Sequence, residues 1–262
     1  MRIVVYSDIH SPFQDDRAVK VVNDFCQWFK PHTVILIGDV ADFYAISKFD
    51  KSPRRSTGNS FFDEMLNTRR ILKSIREANP KASIIYIVGN HEFRLRKFLN
   101  NIIVKNPSLA TLFGLSGIDP NNILRPMLHL AEMEIKLQDL DPEVARFTDN
   151  FIRIGDLFIG HWDRANKHSA YTAKNLLADK GVNLIQGHTH RVGTHIKSTL
   201  GGILEAHEIG CLCNLQPQYT CKQDWQHGFA IVEGDKDMKQ FTVHNILIKD
   251  YRFRFAKRIF QG

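Results

Sequence analysis

The chain has 262 residues, 43% hydrophobic and 24% charged, which is the balance of a globular protein long enough to bury one large α/β core. No apolar run reaches the roughly 18 residues of a membrane helix. The opening Met1-Arg2-Ile3-Val4-Val5-Tyr6 is too short and too β-branched for a signal peptide, so a cytoplasmic protein with no membrane partner is expected. A formal net charge of +7 suits a polyanionic substrate without demanding one.

Residues 3–7 read as a buried strand. Ala18, Val21, Val22, Phe25 and Phe29 then recur at helical spacing over 17–30, and Pro31 stops the helix. A second continuous apolar strand follows at 33–37, a helix at 61–78 and a third strand at 83–88. Strands without polar alternation, separated by helices, imply parallel pairing covered on both faces. Residues 93–150 break the rhythm with Asn-Pro and Asp-Pro joints between short helical stretches, and read as a helical insertion or cap within a single domain spanning 1–262. Beyond it come a hairpin (151–154 and 157–159), a helix (169–179), a strand (182–185) and four further strands at 192–199, 203–209, 227–233 and 239–248.

Five short motifs close these apolar runs: Asp8-Ile9-His10, Gly38-Asp39-Val40-Ala41-Asp42, Gly89-Asn90-His91-Glu92, Gly160-His161 and Gly187-His188-Thr189-His190. They offer carboxylate, carboxamide and imidazole, the ligands of hard and borderline metals. Strands that end together bring their loops together, so distant motifs can form one site. In extended backbone, side chains at i and i+2 point the same way, which would let Asp8 and His10, or His188 and His190, reach one ion. Any one motif alone is weak, because a lone His on an apolar strand is more often a core residue. Five in order, each at a strand end, are not explained by chance.

These motifs resemble the calcineurin-like metallophosphoesterase superfamily from residue 3 to about 245. The resemblance implies a four-layer αββα sandwich of two mixed sheets flanked by helices. It implies that Asp8, His10 and His190 hold one metal ion and Asn90, His161 and His188 a second, with Asp39 bridging. It further implies direct attack of a bridging hydroxide on phosphorus, with His91 as general acid supported by Asp42. Asp42 also reads as a helix N-cap, and Glu92 as a structural residue. Ligands of mixed N/O type without thiolate favour Mn, Fe, Zn, Ni or Co over Mg or Ca, and the resemblance implies two such divalent transition-metal ions, Mn2+ first.

Departures from the family's branches narrow the substrate. Protein phosphatases carry an arginine directly after the second aspartate of the second motif, where this chain has Phe43. Purple acid phosphatases need a tyrosinate three residues after the Asp39 position, and Tyr44 stands five after it. The motifs around Asp39, Asn90 and Asp224-Trp225-Gln226-His227-Gly228-Phe229 are similar to a phage and bacterial nuclease-like group. The expected reaction is hydrolysis of a phosphodiester in single-stranded nucleic acid or a nucleotide; a phosphomonoesterase and a non-catalytic binding scaffold are the alternatives. Arg94, Phe43 and Tyr44 are candidate substrate contacts, and Phe61, Phe62 and Trp162 candidate base-stacking rings. Basic residues follow the second motif (Lys48, Lys51, Arg54, Arg55) and the third (Arg94, Arg96, Lys97), and crowd the C-terminus (Lys249, Arg252, Arg254, Lys257, Arg258). His227 is a candidate to face the site, with no role assigned to it. Cys26 reads as core, and Cys211, Cys213 and Cys221 as packing thiols, since their spacing matches no zinc motif.

Overall fold

A computed structural model of the chain describes residues 1–47, 60–112, 114–138, 150–216 and 224–262. Its elements in chain order are β1 (Arg2–Tyr6), α1 (Asp16–Phe29), β2 (Thr33–Ile37), α2 (Phe61–Ala78), β3 (Ser83–Ile87), α3 (Asn90–Ile103), α4 (Pro107–Leu112), α5 (Leu124–Met127) and β4 (Ile135–Leu137). The second half adds β5 (Phe151–Ile154), β6 (Leu157–Gly160), α6 (Tyr171–Lys180), β7 (Asn183–Gln186), β8 (Val192–Thr199), β9 (Gly202–Ile209), β10 (Gly228–Gly234), β11 (Phe241–Leu247), β12 (Arg252–Phe255) and β13 (Arg258–Gln261).

The strands form a six-stranded sheet, β11-β10-β1-β2-β3-β4, a five-stranded sheet, β5-β6-β7-β9-β8, and the separate hairpin β12-β13. In the first sheet β1 to β4 are parallel, while β10 runs antiparallel to β1. In the second, β6, β7 and β9 are parallel and β5 and β8 are antiparallel edges. Both sheets are mixed.

The period-2 alternation of side chains explains the layers. Ile3, Val5, Ile35, Ile37 and Ile87 point inward to meet Ile159, Ile185 and Ile209 of the second sheet. Their neighbours Val4, Tyr6, Val34, Leu36, Ile84 and Tyr86 point the other way, onto Val22 and Phe25 of α1 and Leu72 and Ile75 of α2. On the far side of the second sheet, Leu184 and Ala206 pack under Ala173, Leu176 and Leu177 of α6. Helix, sheet, sheet, helix is the expected four-layer order.

Local chemistry sets the helix ends. The Asp15 carboxylate accepts from the Arg17 and Ala18 amides at 3.0 and 3.1 Å and starts α1. Ser60 and Asp63 form a reciprocal capping box that starts α2. The 93–150 stretch contributes Leu95, Leu99, Leu124 and Leu128 to the main core and returns as β4, an edge strand parallel to β3. The hairpin β12-β13 has no counterpart among the elements expected from sequence. Phe253 and Phe260 on it pack against Phe25 of α1, with ring centroids 5.5 and 5.1 Å away. No helix among the described residues is long and apolar enough to cross a membrane.

Candidate dinuclear metal centre

Every motif follows the C-terminal end of a strand: β1 for Asp8 and His10, β2 for Asp39, β3 for Asn90, β6 for His161, β7 for His188 and His190. Because β1, β2 and β3 are parallel in one sheet, and β6 and β7 in the other, all five loops collect at one end of the sandwich. The Asp8 and His10 amides donate to the Gly38 and Asp39 carbonyls at 3.3 and 2.8 Å, so the first two loops are locked together.

The pairs at i and i+2 do not converge through extended backbone as expected. Asp8, His10, Asp39, His188 and His190 all adopt the left-handed region, with φ of 51°, 52°, 49°, 73° and 57°. Side chains avoid that region at about 1–3 kcal/mol each, and such strain concentrates at functional sites. Gly38 lies there too, at φ 85°, and a Cβ on it would meet the Gly89 Cα at 2.6 Å and His161 Nδ1 at 2.8 Å. Only glycine lets the second and third loops touch.

The side chains form two groups joined by one carboxylate. His190 Nε2 lies 3.1 Å from both Asp8 Oδ1 and His10 Nε2. His161 Nε2 lies 3.0 Å from Asn90 Oδ1 and 3.2 Å from Asp39 Oδ2, and His188 completes that set. Asp39 Oδ2 also stands 3.7 Å from His10 Nε2 and 3.8 Å from His91 Nε2.

These atoms fit a cation. His10 uses Nδ1 on the Asp42 carboxylate at 2.9 Å, and His161 uses Nδ1 on the Ile37 carbonyl at 2.8 Å. A neutral ring in either place then turns a bare Nε2 lone pair inward. Among the described residues Asp8 Oδ1 is buried with no hydrogen bond made to it, although His190 Nε2 stands 3.1 Å away. Lone pairs gathered in a dry site repel one another unless positive charge sits among them.

The metal-free charges follow the same logic. Burial alone would raise the Asp8 and Asp39 carboxyls, but the imidazoles, led by His190 for Asp8 and His161 for Asp39, hold both well below the usual range. Burial would lower His161, yet Asp39 pushes it up to about 9. Burial and the charge on His161 press His188 down to about 4, and burial also lowers His190. A protonated His161 therefore pairs with Asp39 until a metal displaces the proton. Since ligands must be deprotonated, and His10 too is raised, against burial, by its bonds to Asp42 and Asp8, loading metal at pH 7.5 should release about one proton or more per chain, and the release should fall as the pH rises through the His161 value of about 9. Calorimetry in buffers of different ionisation enthalpy measures this, and release independent of pH would contradict it.

Glu92 holds the frame. Its buried carboxylate accepts from the amides of Asp39 (2.9 Å), Val40 (2.8 Å), Ala41 (3.0 Å) and Gly89 (2.9 Å), and from the Tyr86 hydroxyl (2.7 Å). Burial and the nearby Asp39 push its pKa up, against the pull of those donors.

Among the remaining candidates, His91 Nδ1 donates to the Asp42 carbonyl at 2.8 Å and lies 3.4 Å from its carboxylate. The Asp42 carboxylate is closer to His10, so it serves both rings, and among the described residues it caps no helix: the short 3-10 turn Tyr44–Ile46 has no side-chain cap. Arg94 reaches the Asp42 carbonyl at 3.2 Å and His91 Nε2 at 3.5 Å. Phe43 does not face the site. It is 1% exposed and stacks on Phe61 in the core, because its left-handed backbone turns the ring inward. Tyr44 is half-buried and packs edge-on against Phe13. Trp162 is buried beside α6, whereas Phe62 is exposed. His227 lies behind the site, donating from Nε2 to the Cys213 carbonyl at 2.9 Å. Cys26, Cys211 and Cys213 are buried free thiols, and Cys213 Sγ lies 3.7 Å from His190 Nδ1. Cys221, Lys48, Lys51, Arg54 and Arg55 fall outside the described residues. Sequence reasoning places Trp225 within a motif but gives it no role; its ring sits 4.1 Å from that of His190. Its place two residues before His227 gives no hint of this contact.

The calcineurin-like phosphoesterase family matches residues 1–192 of the chain, including every motif of the cluster. The chain belongs to this family. A calcineurin-like phosphoesterase is a metal-dependent enzyme acting on phosphoester bonds, and the cluster supplies His and Asp groups able to hold divalent ions. The chain is 29% identical over 245 residues to the gene 54 protein of Mycobacterium phage L5, covering 89% of each. It is 26% identical over 249 residues to the gene 54 protein of Mycobacterium phage D29, again covering 89% of each. Similar solved structures include Vps29 complexed with zinc from Entamoeba histolytica (13% identity, 94% of this chain and 99% of that one, TM-score 0.39). Another is the phosphoesterase YfcE from E. coli (12% identity, 94% and 100%, TM-score 0.38).

Proposed function

We propose that the chain hydrolyses a phosphodiester, in nucleic acid or a nucleotide, at two divalent transition-metal ions. Asp8, His10 and His190 would hold one ion, Asn90, His161 and His188 the other, and Asp39 both. The observation that carries this reading is the position of Asp39 Oδ2, within 3.2 to 3.8 Å of the inward nitrogens of His161, His10 and His91. Imidazole and carboxylate suit Mn, Fe, Zn, Ni or Co over Mg or Ca, and the family resemblance puts Mn2+ first among them. Such a pair acidifies water and offsets charge on phosphate oxygens.

The protein's own groups do the rest. The Asp42 oxygens orient His91 so that Nε2 points into the cluster, placed to give its proton to the leaving oxygen. Arg94 stands beside that nitrogen and can hold a non-bridging phosphate oxygen. The buried Phe43 supports a diester, because the arginine that protein phosphatases place there for a dianionic monoester is missing.

Manganese-dependent hydrolysis of bis-p-nitrophenyl phosphate should exceed that of p-nitrophenyl phosphate. His91→Ala should lower kcat about 10²–10⁴-fold while bound metal stays the same. Preference for the monoester, or an unimpaired His91→Ala enzyme, would sink the proposal.

A further inference from the structure

The C-terminal segment 249–262 carries five cations, Lys249, Arg252, Arg254, Lys257 and Arg258, against one acid, Asp250. Among the described residues, none of the five takes part in a side-chain ion pair, although Arg17, Lys20 and Arg70 nearby on the helices neighbour carboxylates or backbone oxygens. Most of this charge sits on the hairpin β12-β13. Phe253 and Phe260 bury the inner face of the hairpin, so Arg252 and Arg254, two residues apart on β12, project from the outer face. Two residues of strand span about 6.7 Å, close to the spacing of neighbouring phosphates in an extended single strand.

The direction of this strip matters more than its charge. At its near end Tyr251 donates to Asp15 Oδ2 at 2.9 Å, and the Arg17 guanidinium lies 3.9 Å over the Tyr251 ring. Asp15 stands 3.8 Å from His227, which bonds the Cys213 carbonyl, and Cys213 touches His190 of the metal cluster. Arg258 stands opposite Phe255 in the register, so it lies on the helix-facing side of the hairpin, 5.7 Å over the ring of Trp28, which is 40% exposed, and Lys257 in the turn is the far end of the outer face. From Arg17 to Trp28 helix α1 rises about 17 Å. Phe13, 41% exposed beside the His10 loop, and Trp28 offer ring faces at the two ends.

We propose that this strip binds the sugar-phosphate backbone of single-stranded nucleic acid and leads it to the metal centre. The proposal rests on the phosphodiesterase reading for its purpose, but its test does not. Binding of a fluorescent oligothymidylate of about 12 nucleotides, within the 4–16 of known single-strand sites, is followed by anisotropy at several salt concentrations. The protein is metal-replete and carries His91→Ala to prevent cleavage. Replacing Arg252, Arg254 and Lys257 together with serine should flatten the slope of log affinity against log salt by about 2, at ~0.7 per phosphate contact. That corresponds to about 100-fold weaker binding at 0.1 M salt, closing toward parity at 1 M. With His91 intact, the triple variant should hydrolyse bis-p-nitrophenyl phosphate as the parent does. Arg252→Lys with Arg254→Lys should keep the affinity. Undiminished binding by the serine variant, equal loss in the lysine variant, or no binding by the parent overturns the strip. Failure of the parent to cleave any diester overturns the activity instead and leaves the binding result standing.

Discussion

Asp39→Asn is expected to give a folded chain that has lost its activity. The amide would keep the shape of the side chain and an oxygen for the His91 amide, which now donates to Asp39 Oδ1 at 2.9 Å. It would remove the one negative charge that both halves of the cluster share. Losing groups that merely support a metal ligand costs 10–100-fold, so losing the shared ligand should lower kcat/KM by more than ~10²-fold. Metal content measured on the purified protein should fall from two equivalents to one or fewer. The same change strips His161 of the partner that lifts its pKa to about 9. Proton release on metal binding at pH 7.5 should fall with it. Two tightly held equivalents and near-normal hydrolysis in Asp39→Asn would remove the bridging role from this residue.

Glu92→Gln should injure the fold as well as the site. The carboxylate accepts five hydrogen bonds, from three consecutive amides of the second loop, one of the third, and Tyr86. An amide side chain has one oxygen and turns an NH2 group against buried N–H donors. Two or more donors would lose their acceptor, at about 1–3 kcal/mol each. For a chain of this size that is a fall in Tm on the order of 5–20 °C. Activity should drop further than stability explains, since Asp39 and Asn90 are carried on the loops that Glu92 ties. Thermal melts and metal titration of the variant check both halves, and a wild-type Tm would show the network to be dispensable.

Much of this is legible in the sequence because strand ends and glycines are local features. Apolar runs and caps mark the strands at 33–37 and 83–88 and the helix at 61–78, and each motif stands where one of the apolar runs stops. How the ligands converge is not legible. Left-handed backbone at Asp8, His10, Asp39, His188 and His190 is imposed by loop-to-loop contacts, whereas extended geometry is what the strand pattern suggests. Phe43 departs from expectation for a related reason: proximity to a motif in sequence says nothing of which way a ring turns. Glu92 is legible as a structural residue, but the partners of Glu92, Trp225 and Cys213, up to 53 residues away in sequence, lie beyond any pattern of spacing. The hairpin at 252–261 is hidden by its charges, which mask the alternation that Phe253, Phe255 and Phe260 carry.

The central strand of the first sheet, β1, is flanked by β2 at residues 33–37 and β10 at residues 228–234. On a ribosome the chain gains one neighbour for this strand almost at once and must wait until residue 234 has emerged to complete the other. During that interval Ile3, Val4 and Val5 present an unpaired, apolar strand edge, a template for mispairing with other nascent chains. Asp8 and His10 follow directly on that strand, while His188 and His190 are themselves made late. A full ligand set therefore exists only after most of the chain has been synthesised, and the species of this protein most prone to aggregate is its own unfinished chain.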